Sequence, residues 1–207
     1  MSVAAAGWLV ASYLIGAIPT SHLVSRSFAR IDLRKHGSGN LGATNLYRVL
    51  GWKYAIPVGL FDIAKGAIPV LVFGPRVSGS ELYALACGVA AIIGHVFSVF
   101  VGFKGGKGVA TAAGVMLALT PIALGVVAGI WGVVLMLTGY VSLASIAAAA
   151  MLPLAVYLLD PPDTPELLWM DVLIAAGVIV LHRRNIQRLL KGTENRFGRR
   201  TASASRP

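Results

Sequence analysis

Acidic side chains are scarce in this sequence. Eight Asp and Glu stand against 18 Lys and Arg, a formal charge of +10. That balance would suit nucleic acid, but the bases sit between and after apolar runs without interleaved stacking aromatics, which argues against it. Cysteine is nearly absent. Cys87 stands alone in an apolar stretch, so no intrachain disulfide can form and packing is its expected role. Charge of either sign is missing from Ser2 to Ser25, and the first base, Arg26, follows the apolar run instead of preceding it. This is the wrong polarity for a cleaved signal peptide and fits a retained first helix. His22, His36 and His95 lack metal-ligand spacing with Asp, Glu or Cys, so no metal site is expected. Three enzyme signatures are missing as well: the Walker spacing GxxxxGK[ST], the nucleophile elbow GxSxG, and HxxxxD at any of the four histidines. No internal repeat is evident, which weakens a transporter built from inverted halves.

What is present in abundance is hydrocarbon. Hydrophobic residues make up 57% of the chain and mean hydropathy is +0.77, which identifies the bilayer as its solvent. No charged residue falls between Lys107 and Asp160, and a helical crossing needs only about 20 apolar residues. The runs are continuous and not alternating, so helices are expected and closed barrels are disfavoured. Apolar segments extend over 3–25, 54–74, 82–103, 108–120, 121–138, 141–159 and 167–182, punctuated in the long uncharged interval by Pro121 and Thr138-Gly139.

Charge then sets orientation. Residues 26–53 carry Arg26, Arg30, Arg34, Lys35, Arg48 and Lys53 against Asp32 alone, and the carboxyl end from Arg183 onward is strongly basic. Both belong on the cytoplasmic side, with Lys104 and Lys107. The acidic connection holding Asp160, Asp163 and Glu166, and the one holding Arg76 and Glu81, then lie outside. Parity requires an odd number of crossings from 107 to 160, and three short ones give seven in all, amino end outside and carboxyl end inside. Five crossings with a re-entrant pair is the alternative. Residues 1–197 are expected to form one membrane domain, followed by a disordered basic tail at 198–207.

Three polar motifs fall on the cytoplasmic side. In "GSGNLGATN", Gly37, Gly39 and Gly42 allow an amide nest, and Thr44, Asn45 and Arg48 occupy the first turns of the helix that follows. A helix amino end with a nest and an Arg suits phosphate, although a Gly-rich connection with a capping Asn and a solvated Arg is the plainer reading. In "FKGGKGVAT", Gly105, Gly106 and Gly108 bare the backbone beside Lys104 and Lys107, where headgroup anchoring is the plainer alternative. In "HRRNIQRLLKGTENRF", Ile186, Leu189 and Leu190 give an apolar face and Arg184, Arg188 and Lys191 a basic one, while His182 and Asn185 are neighbours three apart. Within the spans, Asp62 and Lys65 each cost about 2.5–3.5 kcal/mol alone and are expected to pair. Ser142 and Ser145 share one helix face, where back-bonding to helix carbonyls is the common fate.

These motifs in this order, with "GHVFSVFVGFKGGKGVAT" and "VSLAS", resemble the bacterial acyl-phosphate:glycerol-3-phosphate acyltransferases of the PlsY type, from Asp32 to Phe197. One departure is Ser98, where the family pattern has Pro. The resemblance implies a multi-pass enzyme of the bacterial inner membrane, with its active site on the cytoplasmic side and no cofactor. It would move a fatty acyl group from acyl phosphate to the 1-hydroxyl of sn-glycerol 3-phosphate, releasing lysophosphatidic acid and inorganic phosphate. It also implies a hand-off from the soluble enzyme that forms acyl phosphate. By matched position, Ser38, Asn45, Lys107, His182 and Asn185 are expected to carry the chemistry. Gly37, Gly39, Asn40, Gly42, Thr44, Arg48, Lys104, Gly105, Gly106, Ser142 and Ser145 are expected to bind substrate. An organophosphate carrier is the competing reading, since its broken helices would also point amides and lysines at an anion.

Overall fold

The structure is a computed structural model that describes residues 2–77, 80–162 and 164–198. Among these residues there are helices and connections but no strand. In chain order the helices are α1 (Val3–Ala17), α2 (Thr20–Ala29), α3 (Ala43–Leu50), α4 (Trp52–Ile68), α5 (Glu81–Val96), α6 (Val109–Leu119), α7 (Pro121–Thr138), α8 (Val141–Leu159), α9 (Pro165–Leu181) and α10 (Arg183–Leu190). Asp163 and the tail from residue 199 onward lie outside the described residues.

Five elements are long and apolar enough to cross a bilayer: Val3–Ala29, Trp52–Arg76, Glu81–Val101, α7 and α8. The pair α9 and α10, bent by 53° at His182, makes a sixth among the described residues when taken as one broken span. The run at 108–120, expected as a crossing, forms the 11-residue α6, which at about 1.5 Å per residue reaches only about 16 Å. Pro19 divides the first run into α1 and α2, because a proline ring removes an N–H that the helix ladder would need.

Helices in lipid cannot associate by hiding apolar surface, so close packing has to hold them together. Glycines supply it here. A Cβ at Gly16 would overlap the carbonyl oxygen of Ala91 on α5, and one at Gly94 would overlap that of Tyr13 on α1. Gly66 and Gly114 stand in the same reciprocal relation between α4 and α6, against Thr111 and Ile63. Elsewhere α7 packs on α8 and α8 on α9. Large side chains are left facing outward, with Met136 80% and Leu137 81% exposed, which is costly in water and costless in hydrocarbon. Cys87 is fully buried, as expected of a packing residue.

Three features of the sequence find their place in this frame. Asp62 and Lys65 form the expected buried ion pair at 2.7 Å. Ser98 opens the Val99–Val101 turn, and its hydroxyl donates to the carbonyl of Ala17, which ties the chain just after α5 to the end of α1. Asp171, inside the apolar run at 167–182, is an acidic side chain buried in α9.

Candidate active site

The three polar motifs converge on one cavity of about 420 Å³. Its polar end is formed by the 38–48 segment, Lys107, the start of α8, and His182, Asn185 and Glu194. Its other end is an apolar wall of Leu124, Val127, Ala128 and Trp131 on α7 and Ala148 on α8.

The first motif is organised by Asn45. Its Oδ1 accepts from the Ser38 amide at 2.7 Å, and its Nδ2 donates to the carbonyls of His36 and Asn40, both at 3.0 Å. The Gly39 amide donates to His36 at 3.0 Å. Two amides expected to form a nest are therefore spent inside the loop, and Gly37 and Gly39, with φ of 60° and 73°, are needed for its turn. What remains open is the amino end of α3, capped by Gly42 without any side-chain hydrogen bond, with Gly42, Ala43 and Thr44 facing the cavity. Arg48 lines the cavity one turn on, and its Nε is buried with no hydrogen-bond partner. Burial is the chief cause pulling its pKa down; Glu194 opposes the shift and Arg188 adds to it.

The second motif divides its lysines. Lys104 is exposed and does not line the cavity, whereas Lys107 does. The glycines between them are not a nest: the Gly105 amide donates to Val96 at 2.9 Å and the Gly106 amide to His95 at 3.1 Å. A Cβ at either would strike His95, at its carbonyl for Gly105 and its ring for Gly106, so both are glycine for close packing. The open amides begin with α6, capped by Gly108 without a side-chain partner, and Gly108, Val109 and Ala110 face the cavity. Burial holds the Lys107 ammonium down at about 8; Glu194 pulls it upward, while Arg188 and Arg48 press it down.

The third motif and α8 close the site. Lys107 Nζ donates to Asn185 Oδ1, and Asn185 Nδ2 donates to Glu194 Oε1 at 2.7 Å. Ser142 also donates to Oε1, at 3.0 Å, while Arg188 Nε donates to Oε2 at 2.6 Å. Arg188 thus faces inward and not the headgroups. Burial raises the Glu194 pKa, but these three hydrogen bonds together outweigh it and leave the carboxylate below its ordinary range. Sequence reasoning missed Glu194. The available signal was that it is the sole acid between His182 and the carboxyl end. The segment after α10 is fastened over the site: the Phe197 amide donates to Gly139 at 2.7 Å, its ring stacks on Tyr47 at 4.7 Å, and the Arg196 guanidinium lies over Tyr140. His182 Nδ1 lies 2.8 Å from the Val178 carbonyl, which fixes the proton there and leaves Nε2 as an acceptor. Ser145 back-bonds to Val141 at 2.9 Å and accepts from Trp131 at 3.2 Å.

A half-buried pair of cations beside two uncapped helix ends, continuous with an apolar wall, fits a substrate with phosphate at one end and alkyl at the other. The glycerol-3-phosphate acyltransferase family model matches residues 6–192. The chain belongs to that family. Glycerol-3-phosphate acyltransferases from Geobacter sulfurreducens and Trichlorobacter lovleyi are 48% and 47% identical, covering 90% and 92% of this chain and 94% and 96% of their own. The crystal structure of PlsY, an integral membrane glycerol 3-phosphate acyltransferase, in its glycerol 3-phosphate form is 40% identical with a TM-score of 0.87. The match covers 94% of this chain and 96% of that one. The lysophosphatidic acid form matches at 38% and 0.84, over 94% and 95%. The family is one of integral membrane enzymes, which decides against the carrier.

Proposed function

We propose that this acyltransferase moves a fatty acyl group from acyl phosphate to the 1-hydroxyl of sn-glycerol 3-phosphate by direct attack, in the cytoplasmic leaflet of a bacterial inner membrane. The observation that carries the reading is the continuity of one cavity from Arg48 and Lys107 to the α7–α8 apolar wall. Acyl phosphate is already activated, so the protein has chiefly to position the partners and stabilise charge.

In this reading the amino end of α3, with Ser38, Asn40 and Thr44, receives the acyl phosphate, and its alkyl chain lies along Leu124, Val127 and Ala128. Arg48 and Lys107 hold glycerol 3-phosphate, with the α6 amino end adding dipole and amides. The glycerol O1 attacks the acyl carbonyl carbon, the bond from that carbon to the phosphate oxygen breaks, and the hydroxyl proton passes to a substrate phosphate oxygen. Lysophosphatidic acid and inorganic phosphate leave. His182 Nε2, Asn185, Ser142 and Ser145 wall the reacting centre. Asn45, with both ends of its amide engaged, is a positioning residue, and Lys104 is a headgroup anchor. The donor would come from a soluble acyl-phosphate-forming enzyme on the same side.

Seven crossings with the amino end outside are supported by how helix ends sort. Glu81, Leu119, Asp160 and Leu167 line a second cavity, whereas the opposite ends of α6, α8 and α9 line the first. Residues 1–197 as one domain are supported by the Phe197 contacts with Gly139 and Tyr47.

Phosphate release from palmitoyl phosphate by the purified protein in lipid tests the activity. Release should require sn-glycerol 3-phosphate and collapse in Lys107→Ala. A radiolabelled acyl group trapped on the protein in a single turnover would overturn direct attack.

A further inference from the structure

Where α4 and α5 border the substrate cavity lies a buried polar cluster that the mechanism does not use, with Asp62 and His95 lining the cavity wall. Asp62 Oδ1 pairs with Lys65 at 2.7 Å and accepts from Thr20 Oγ1 at 3.2 Å, while Lys65 Nζ also donates to the Ile18 carbonyl at 2.9 Å. These bonds tie α4 to the break between α1 and α2. His95, near the end of α5, points Nδ1 toward Asp62 Oδ1 at 3.9 Å; this nitrogen is buried with no hydrogen-bond partner. The other edge of the same ring faces the second motif. A Cβ on Gly106 would run into His95 Nε2 and stand 3.0 Å from the Leu41 carbonyl of the first motif. Gly106 thus sits between the His95 ring and the backbone of the first motif.

We propose that His95 is a positioning residue for Lys107, with Asp62, Lys65 and Thr20 as its foundation. The ring sets how deeply residue 106 sits, and the ammonium one residue later inherits that depth. This deepens the proposed function, because it assumes that Lys107 holds glycerol phosphate. Charge on the ring is not required. Its contribution is shape, bounded on one side by the Asp62 carboxylate and on the other by a residue without a side chain.

The clash map supplies an allele-specific test. At residue 106 the nearest obstacle is the His95 side chain, but at residue 105 it is the His95 backbone carbonyl. Gly106→Ala should raise the KM for glycerol 3-phosphate about 10- to 100-fold, as expected of a displacement near 1 Å, with a smaller effect on the KM for palmitoyl phosphate. Adding His95→Ala should restore at least about tenfold of that loss in the Gly106→Ala background and nothing in Gly105→Ala. Thermal melting in detergent identifies any variant that has lost its fold. Phosphate release by the parent protein tests the activity separately, so failure of that reading is distinguishable from failure of this one. The proposal is overturned if folded Gly106→Ala keeps its KM, if His95→Ala fails to rescue it in a folded double variant, or if rescue is equal at both glycines.

Discussion

Lys107 Nζ donates to Asn185 Oδ1, joining residues 78 positions apart and tying the second motif to the third. The bond leaves Asn185 Nδ2 for Glu194, so one amide separates an ammonium from a carboxylate that would otherwise neutralise it. A lysine proposed to bind phosphate gains from this arrangement. Glu194 acts on it from a distance while its direct partner is neutral.

The pH dependence follows from that environment. Burial holds Lys107 at about 8, below the ordinary lysine range, so its charge is lost as pH rises through that value. The free-enzyme parameter kcat/KM for glycerol 3-phosphate should therefore fall above about pH 8. Lys107→Arg, which stays charged, should flatten that limb even if its maximum is lower. An unchanged alkaline limb in Lys107→Arg would remove Lys107 as the titrating group.

Glu194 accepts from Ser142, Asn185 and Arg188, so removing it strands three donors beside the Arg48 and Lys107 charges. Leaving buried donors without an acceptor costs about 1–3 kcal/mol. Glu194→Ala should melt markedly lower in detergent, and Glu194→Gln should recover part of the loss because an amide oxygen can still accept. Equal melting of all three proteins would show that the cluster is not a structural keystone.

How far this was legible in the sequence depended on residue chemistry. Arg48, Lys107, His182 and Asn185 could be picked out because polar groups at membrane ends need a reason, and all four line the cavity. The glycines were legible as unusual but not as what they are. Bare backbone serves both an anion nest and tight packing, and only the direction of the Gly105 and Gly106 amides separates the two. Glu194 was hidden among bases that read as a solvated face. Asp171 was hidden because one acid in 16 residues hardly lowers the hydropathy of a run. Helix length was hidden likewise at residues 108–120, where an apolar run of 13 residues contains only 11 helical ones.

The α4–α6 contact should be intolerant of a single methyl group. Gly114→Ala would drive a Cβ into the Ile63 carbonyl, while nothing lies within 4 Å of the corresponding position at Gly125. Overpacking of this kind costs about 1–3 kcal/mol. Melting in detergent should fall for Gly114→Ala and stay or rise slightly for Gly125→Ala, since alanine is the better helix former. Comparable melting of the two would mean that α6 can shift on α4 at little cost.

Asp171 makes the opposite prediction. It is only 4% exposed, and none of the described residues gives it a hydrogen bond. It lines a cavity of about 350 Å³ shared with Glu81, Thr120 and Asp160. Asp160 accepts from the Ala123 amide at 2.6 Å, whereas the Asp171 carboxyl opens onto the cavity, and keeping a polar group in a largely buried position costs stability that an apolar side chain would not. This end of α9 is remote from His182, so the chemistry does not account for the residue. Asp171→Leu should therefore raise the melting temperature and leave kcat and both KM values unchanged. A lower melting temperature in lipid together with a higher one in detergent would mean that the bilayer supplies the carboxylate with a partner.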